Sequence, residues 1–163
     1  MDMVDTERYA RHISLPDVGI TGQKLIDDSR VLVVGAGGLG SPVLMYLAAA
    51  GIGHIGVVDD DVVDLSNLQR QIIHSESAIG RPKVESAKER INSINSAIKV
   101  TTWNARLSPD NAEEILCDWD IVIDGTDNIP TRYLVDDVCN MLGIPWIYGS
   151  IYRFEGQASV FNY

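Results

Sequence analysis

A doubly wound α/β fold is what this sequence predicts: a mostly parallel sheet with helices on both faces and antiparallel strands at its C-terminal end. Three observations carry the expectation. Short continuous apolar runs, VLVV at 31–34 and IVID at 121–124, alternate with longer segments of helical period, as for strands buried on both faces. A glycine-rich turn, GAGGLG at 35–40, joins the first run to the first long helix. The closing segment YRFEGQASVFNY changes character, with Gly156 between two β-rich runs.

The elements follow in order. TERYARHISL is a short amphipathic start, and GQKLIDDS reads as a second short helix. Strand 31–34 leads through the glycine turn into a helix from Ser41 to Ala50. Ile55–Asp59 is the next strand, followed by a long polar connection and a helix opened by Pro82, whose fixed φ suits a first helical position. Lys99–Trp103, Ile121–Asp124 and Pro145–Tyr148 read as strands; Asp110–Cys117 and Thr131–Leu142 read as helices. No repeat or linker divides the 163 residues, so 1–163 is expected to be one domain.

Composition narrows the function classes. The formal net charge of −10 disfavours a nucleic-acid-binding surface, which needs bases to displace counterions. No apolar run reaches membrane-span length, and the start MDMVDTERYA carries no signal-peptide pattern. Cys117 and Cys139 form no C-x-x-C pair, so a reducing, cytoplasmic setting is expected, with neither nucleic acid nor membrane as partner.

The glycine turn has G-x-G-x-x-G order, which makes the expected fold Rossmann-like. Gly35 permits the tight turn, Gly37 lets backbone approach a phosphate, and Gly40 allows the helix to pack on the strand. Phosphate oxygens would meet N–H groups at the helix's positive end. Asp59, nineteen residues beyond Gly40, is placed to accept hydrogen bonds from ribose hydroxyls. To this point an NAD-dependent oxidoreductase reads the same way.

The segment DLSNLQRQ at 64–71 separates the alternatives. From Leu65 to Val84, Arg70, Arg81 and Lys83 face a single acid, Glu76, in a chain of 23 acids and 13 bases. Cations at a helix N-terminus oppose the macrodipole by about 0.3–1 kcal/mol each. An anion held between Lys83 and the helix end would turn that misfit to use, whereas a lone lysine or arginine usually just extends into water. Two such charges with Asn67 and Gln71, after a ribose-type aspartate, suit a triphosphate better than a dinucleotide. DIVIDGTDN then puts Asp124 and Asp127 at the carboxyl end of a buried strand. Asp127 either caps the following helix or binds magnesium; both roles are filled only if Asn128 is the cap.

Taken together, RYARHI, GAGGLGSP, DLSNLQRQ, GRPKVESA and DGTDN resemble the ThiF/MoeB/HesA family, the bacterial-type relatives of ubiquitin-activating enzymes, in family order from about Glu7 to Phe161. The resemblance implies ATP- and Mg²⁺-dependent adenylation of the C-terminal glycine carboxylate of a small ubiquitin-like or sulfur-carrier protein ending in Gly-Gly. It implies that Gly38 lies against the nucleotide with Gly35, Gly37 and Gly40; that Asp59 binds ribose; and that Ser66, Asn67, Arg70 and Gln71 line the phosphates. Lys83 would neutralise phosphate charge, and Asp127, beside Asn128, would bind magnesium. Arg11 corresponds to an arginine that the family contributes across a homodimer to the neighbour's phosphates; its sequence context alone reads as a solvated helix residue.

Two departures accompany the resemblance. Gly125-Thr126-Asp127 stands where the family often has Cys-Thr-Asp, which leaves the magnesium carboxylate in place. Family members usually continue with cysteine pairs for a structural Zn²⁺ and a later thioester or persulfide cysteine, none of which falls within 1–163. A non-catalytic or truncated partner subunit is therefore the alternative to an active homodimer, with the oxidoreductase third.

Overall fold

The computed structural model describes residues 4–163; the first three residues of the expected domain lie outside it. Two short helices, α1 (Ala10–Ile13) and α2 (Gly19–Asp28), precede β1 (Arg30–Val34), α3 (Gly40–Ala50) and β2 (His54–Val58). Then come α4 (Lys83–Ile94), β3 (Lys99–Trp103), α5 (Ala112–Leu116), β4 (Ile121–Asp124), α6 (Ile129–Leu142), β5 (Trp146–Tyr152) and β6 (Glu155–Phe161).

The strands form one six-stranded sheet of order β3-β2-β1-β4-β5-β6, parallel except for antiparallel β6. Alternation along β1 shows why it reads as a continuous apolar run. Val31 and Val33 join α3 and α4 in one core, around Leu44, Ala48, Val84 and Ile91. Leu32 and Val34 point to the opposite core, with Leu116 of α5 and Val135 and Cys139 of α6. A strand with helices on both faces has no polar side, so the period-2 signal disappears. Each fully buried aliphatic side chain stabilises the sheet by about 1.5–3 kcal/mol.

From β1 the chain crosses to β2 on one side, while β4 pairs on the other. The carboxyl ends of β1, β2 and β4 therefore surround the switch point where open α/β sheets bind ligands. The doubly wound, mostly parallel architecture and its antiparallel C-terminal end match the sequence expectation.

Two local expectations need correction. Pro82 is not the first helical residue: its ψ of 134° is extended, it bridges to Val62, and α4 starts at Lys83. Gly156 does not separate the final strands but lies inside β6, paired with Ile151. The turn is at Arg153 and Phe154, where Arg153 takes φ 56°. The connection 59–82 is also more ordered than a plain loop, holding 3₁₀ turns at Leu65–Asn67 and Glu76–Ala78.

Candidate functional site

A cleft of about 850 Å³ opens at the switch point. Its floor is the β1–α3 turn. Gly35 adopts φ 95°, a left-handed conformation that a side chain would strain. A Cβ on Gly40 would come within 1.9 Å of the Gly35 carbonyl oxygen, so no other residue lets α3 start this close to β1. Gly37 and Gly38 line the cleft, and a Cβ on Gly38 would touch the Arg70 side chain at 3.4 Å. No side chain caps α3; the Ser41 N–H donates to the Gly37 carbonyl at 2.9 Å, and Pro42 has no N–H. Gly35 also lines the cleft; Gly40 does not, and its role is packing beneath the turn.

Asp59 follows β2 and is fixed by two backbone donors. Ala36 N–H donates to Oδ2 at 2.8 Å, and Asp61 N–H donates to Oδ1 at 2.8 Å. Burial raises its pKa, opposed by those two hydrogen bonds and by the charge of Lys83. Each oxygen keeps acceptor capacity, so a pair of hydroxyls can still be bound. Behind the turn lies His74, a residue sequence reading did not single out. Its Nε2 is 3.0 Å from the Ala36 carbonyl, which can only accept, so Nε2 carries the proton and Nδ1 accepts from Ser86 Oγ at 2.9 Å. Burial lowers its pKa, keeping it neutral between the glycine turn and α4.

The DLSNLQRQ segment is folded by its own polar groups. Asp64 caps the first 3₁₀ turn, accepting from both the backbone N–H and the hydroxyl of Ser66. Ser66 is exposed, its N–H and hydroxyl serve that cap, and it is not among the residues lining the cleft. Asn67 Oδ1 instead gathers the others, accepting from Arg70 Nη2 at 3.2 Å and Gln71 Nε2 at 3.1 Å. All three line the cleft. Gln71 is 4% exposed and its Oε1 has no hydrogen-bond partner.

The positive island divides in two. Arg81 turns to the surface and forms a two-point bridge to Glu89, at 2.8 and 2.6 Å, and does not line the cleft. Lys83 does line it, at 5% exposure, and its Nζ donates to Asp61 Oδ2 at 2.7 Å. The anion expected beside this lysine is, within the protein itself, the carboxylate of Asp61.

The β4–α6 loop closes the third side. Asn128 is the helix cap: its Oδ1 accepts from Thr131 N–H at 3.0 Å. That leaves Asp127 exposed on the cleft, with no hydrogen bond or ion pair among the described residues. Asp124 is turned inward, its Oδ1 accepting from Thr126 N–H and Oγ1. Arg132, also missed by sequence reading, donates to the carbonyls of Thr126 at 2.6 Å and Gly149 at 3.1 Å and to the Tyr148 hydroxyl at 3.1 Å. A fully buried acid at a strand end was the signal that a cation must lie nearby.

Arg11 sits on α1, exposed, and is not among the residues lining the cleft of its own chain. No group of three or more His, Cys, Asp or Glu able to hold a metal occurs among the described residues. Asp127 nonetheless fits magnesium, which keeps several waters and takes one or two carboxylates together with substrate phosphates. Cys117 is exposed and Cys139 is buried, its thiol pushed up to about 12 by burial. No helix is long and apolar enough to cross a membrane, among the described residues.

Comparison with known proteins places this geometry. A probable adenylyltransferase/sulfurtransferase, MoeZ, of Mycobacterium tuberculosis is 55% identical over 157 residues, 96% of this chain and 40% of that protein. The SAMP-activating enzyme E1 of Haloferax volcanii is 49% identical over 98% of this chain and 59% of its own length. This chain thus spans less than two thirds of the curated relatives it matches. Among solved structures, the Escherichia coli tRNA N6-threonylcarbamoyladenosine dehydratase TcdA, in complex with ATP, superposes with a TM-score of 0.82 at 32% identity, over 90% of this chain and 60% of that one. Escherichia coli MccB gives 0.79 at 27% identity, over 90% of this chain and 45% of that one. The ThiF family's sequence profile covers residues 9–163, and the chain belongs to that family.

Proposed function

We propose that residues 1–163 form the ATP-binding adenylation domain of an enzyme that activates the C-terminal glycine carboxylate of a small ubiquitin-like or sulfur-carrier protein. The observation that carries this reading is convergence on one cleft. The glycine turn after β1, Asp59 after β2, the Asn67–Arg70–Gln71 cluster, Lys83 at the start of α4 and Asp127 after β4 all line the same space. The names of the relatives, adenylyltransferase/sulfurtransferase and SAMP-activating enzyme, support the same chemistry.

In this reaction a carboxylate oxygen of the carrier attacks the α-phosphorus of ATP. A new P–O bond forms, the bond to the β-phosphate bridging oxygen breaks, and pyrophosphate leaves with both electrons. The carboxylate is already ionised, so no proton has to be removed to start the step. The protein's part is positioning and charge compensation. Asp59 holds the ribose, the turn N–H groups with Gly37 and Gly38 meet the phosphates, and Arg70 and Lys83 balance their charge. Magnesium, held by Asp127, supplies further compensation of triphosphate charge when bound. Arg11 serves the neighbouring subunit of a homodimer, and cytoplasmic location suits both thiols. Zinc belongs to the reading only where cysteine pairs of the longer relatives are present.

Carrier-dependent ATP–pyrophosphate exchange tests this, with small proteins ending in Gly-Gly as substrates and Lys83→Ala as control. Exchange that requires both carrier and Lys83 is expected. ATP binding without exchange would assign a supporting-subunit role, and NAD binding in place of ATP would overturn the nucleotide assignment.

A further inference from the structure

The lysine of the cleft is already paired. Lys83 Nζ, with a side chain 6% exposed, donates to Asp61 Oδ2 at 2.7 Å, and Asp61 supplies the only acceptor it has among the described residues. The two backbones are locked together. Lys83 N–H donates to the Asp61 carbonyl at 2.9 Å, Val62 bridges Pro82, and Asp61 N–H is held by Asp59 Oδ1. The Asp61 side chain is different: it is 68% exposed and makes no other hydrogen bond, so rotation about χ1 carries the carboxylate into solvent with no backbone movement.

We propose that Asp61 is a resident counter-ion that sets the specificity of the cleft, reserving Lys83 for polyphosphates against single phosphates. The proposal rests on the nucleotide reading of the cleft. With no ligand, Asp61 keeps the nearly buried ammonium paired. Two N–H donors of the ammonium stay open, but a ligand oxygen reaching them meets a charge that Asp61 already offsets, and gains the full charge only once Asp61 turns away. A lone phosphate finds little uncompensated charge at Lys83 while Asp61 stays, and has no other contact to offset turning Asp61 away. A triphosphate reaches Arg70 and the glycine turn as well, contacts that Asp61 does not occupy and that offset the displacement. Asp61 acts through Lys83 and is a positioning residue, distinct from the groups that touch substrate.

The test is Asp61→Asn, with binding of inorganic phosphate and of ATP–magnesium measured by calorimetry on the folded chain. Phosphate should bind about ten-fold more tightly to the variant, the loss of one competing charged hydrogen bond. ATP should gain less, so the ratio of ATP to phosphate affinity falls. The gain must vanish in Asp61→Asn/Lys83→Ala, a dependence that a merely structural change would not produce. Asp61→Ser, with a thermal melt for each protein, guards against misfolding of one variant. Unchanged phosphate affinity with normal ATP binding overturns this proposal alone, as does a gain that survives loss of Lys83. Failure of ATP to bind the wild-type protein overturns the nucleotide reading and this proposal with it.

Discussion

Arg132 Nε lies 3.4 Å from Asp124 Oδ2, and the carboxylate is fully buried. Neither atom has a hydrogen bond, so their attraction is the sole compensation for that oxygen. The same guanidinium binds carbonyls on either side of the cleft wall and sits 4.9 Å over the Tyr148 ring. Burial raises the Asp124 pKa, Thr126 and Arg132 opposing it. Arg132→Met should cost about 3–5 kcal/mol in urea unfolding, because it strands a buried charge. Arg132→Lys keeps the charge but not the fork of donors and should fall between. A double-mutant cycle with Asp124→Asn should show the two losses to be strongly non-additive.

His74 gives stability a pH dependence of defined sign. Its folded pKa is lowered by burial, so below its ordinary value of 6.5 the unfolded chain takes up the proton first. Its contribution is complete above that value and is lost as pH falls. The melting temperature should drop as pH is lowered from about 7.5 to about 5.5, and His74→Gln should flatten the slope. An unaltered slope in that variant would assign the dependence elsewhere, His54 being the other histidine lowered mainly by burial.

The glycines of the turn should separate cleanly. Gly40→Ala places a methyl 1.9 Å from the Gly35 oxygen and should unfold or severely destabilise the domain by calorimetry. A methyl at Gly37 would meet only Gln71 Nε2, at an ordinary 3.7 Å. Gly37→Ala should therefore melt normally while losing ATP affinity, since its cost falls on the ligand.

The two bases flanking Pro82 should also differ. Arg81 is committed to an exposed bridge with Glu89, so Arg81→Ala should leave ATP affinity unchanged in titration. Lys83→Ala should weaken it more than ten-fold.

Arg11 gives a test of assembly. Mixing Arg11→Ala subunits with Lys83→Ala subunits should restore part of the pyrophosphate exchange that each lacks, because one of the two sites in such a heterodimer is intact. No recovery in verified heterodimers would place Arg11 outside the neighbouring site.

How much of this was legible depends on the range of the interaction. VLVV, IVID and the glycine turn declare themselves because each is fixed by residues a few positions away and by burial on both faces. A cap at Asp127 or Asn128 was legible for the same reason, and the structure gives it to Asn128, whose partner Thr131 is three residues on. Pro82 was misplaced because its extended ψ comes from pairing with Val62, twenty residues earlier, and overrides its suitability for a first helical turn. Asp124 at a buried strand end signalled that a cation lay nearby, but not that it was Arg132, and the Lys83–Asp61 pair gave no signal, because a charge chooses its partner across folded elements. The partner of Ser66 is local, Asp64 two residues away, yet the sequence reading assigned Ser66 by resemblance and did not weigh that bond.

The unequal depth of Arg70 and Lys83 bears on the order in which a polyanion would meet them. The net charge of −10 is screened beyond a Debye length, about 10 Å at 0.1 M salt, so local charges decide what a polyanion meets at the cleft. Arg70 is exposed beside Gly38, whereas Lys83 is 5% exposed and holds Asp61. Under the proposed nucleotide reading, capture at Arg70 would precede transfer to Lys83, and association would show two phases: a salt-sensitive encounter, then a first-order rearrangement as Asp61 turns away.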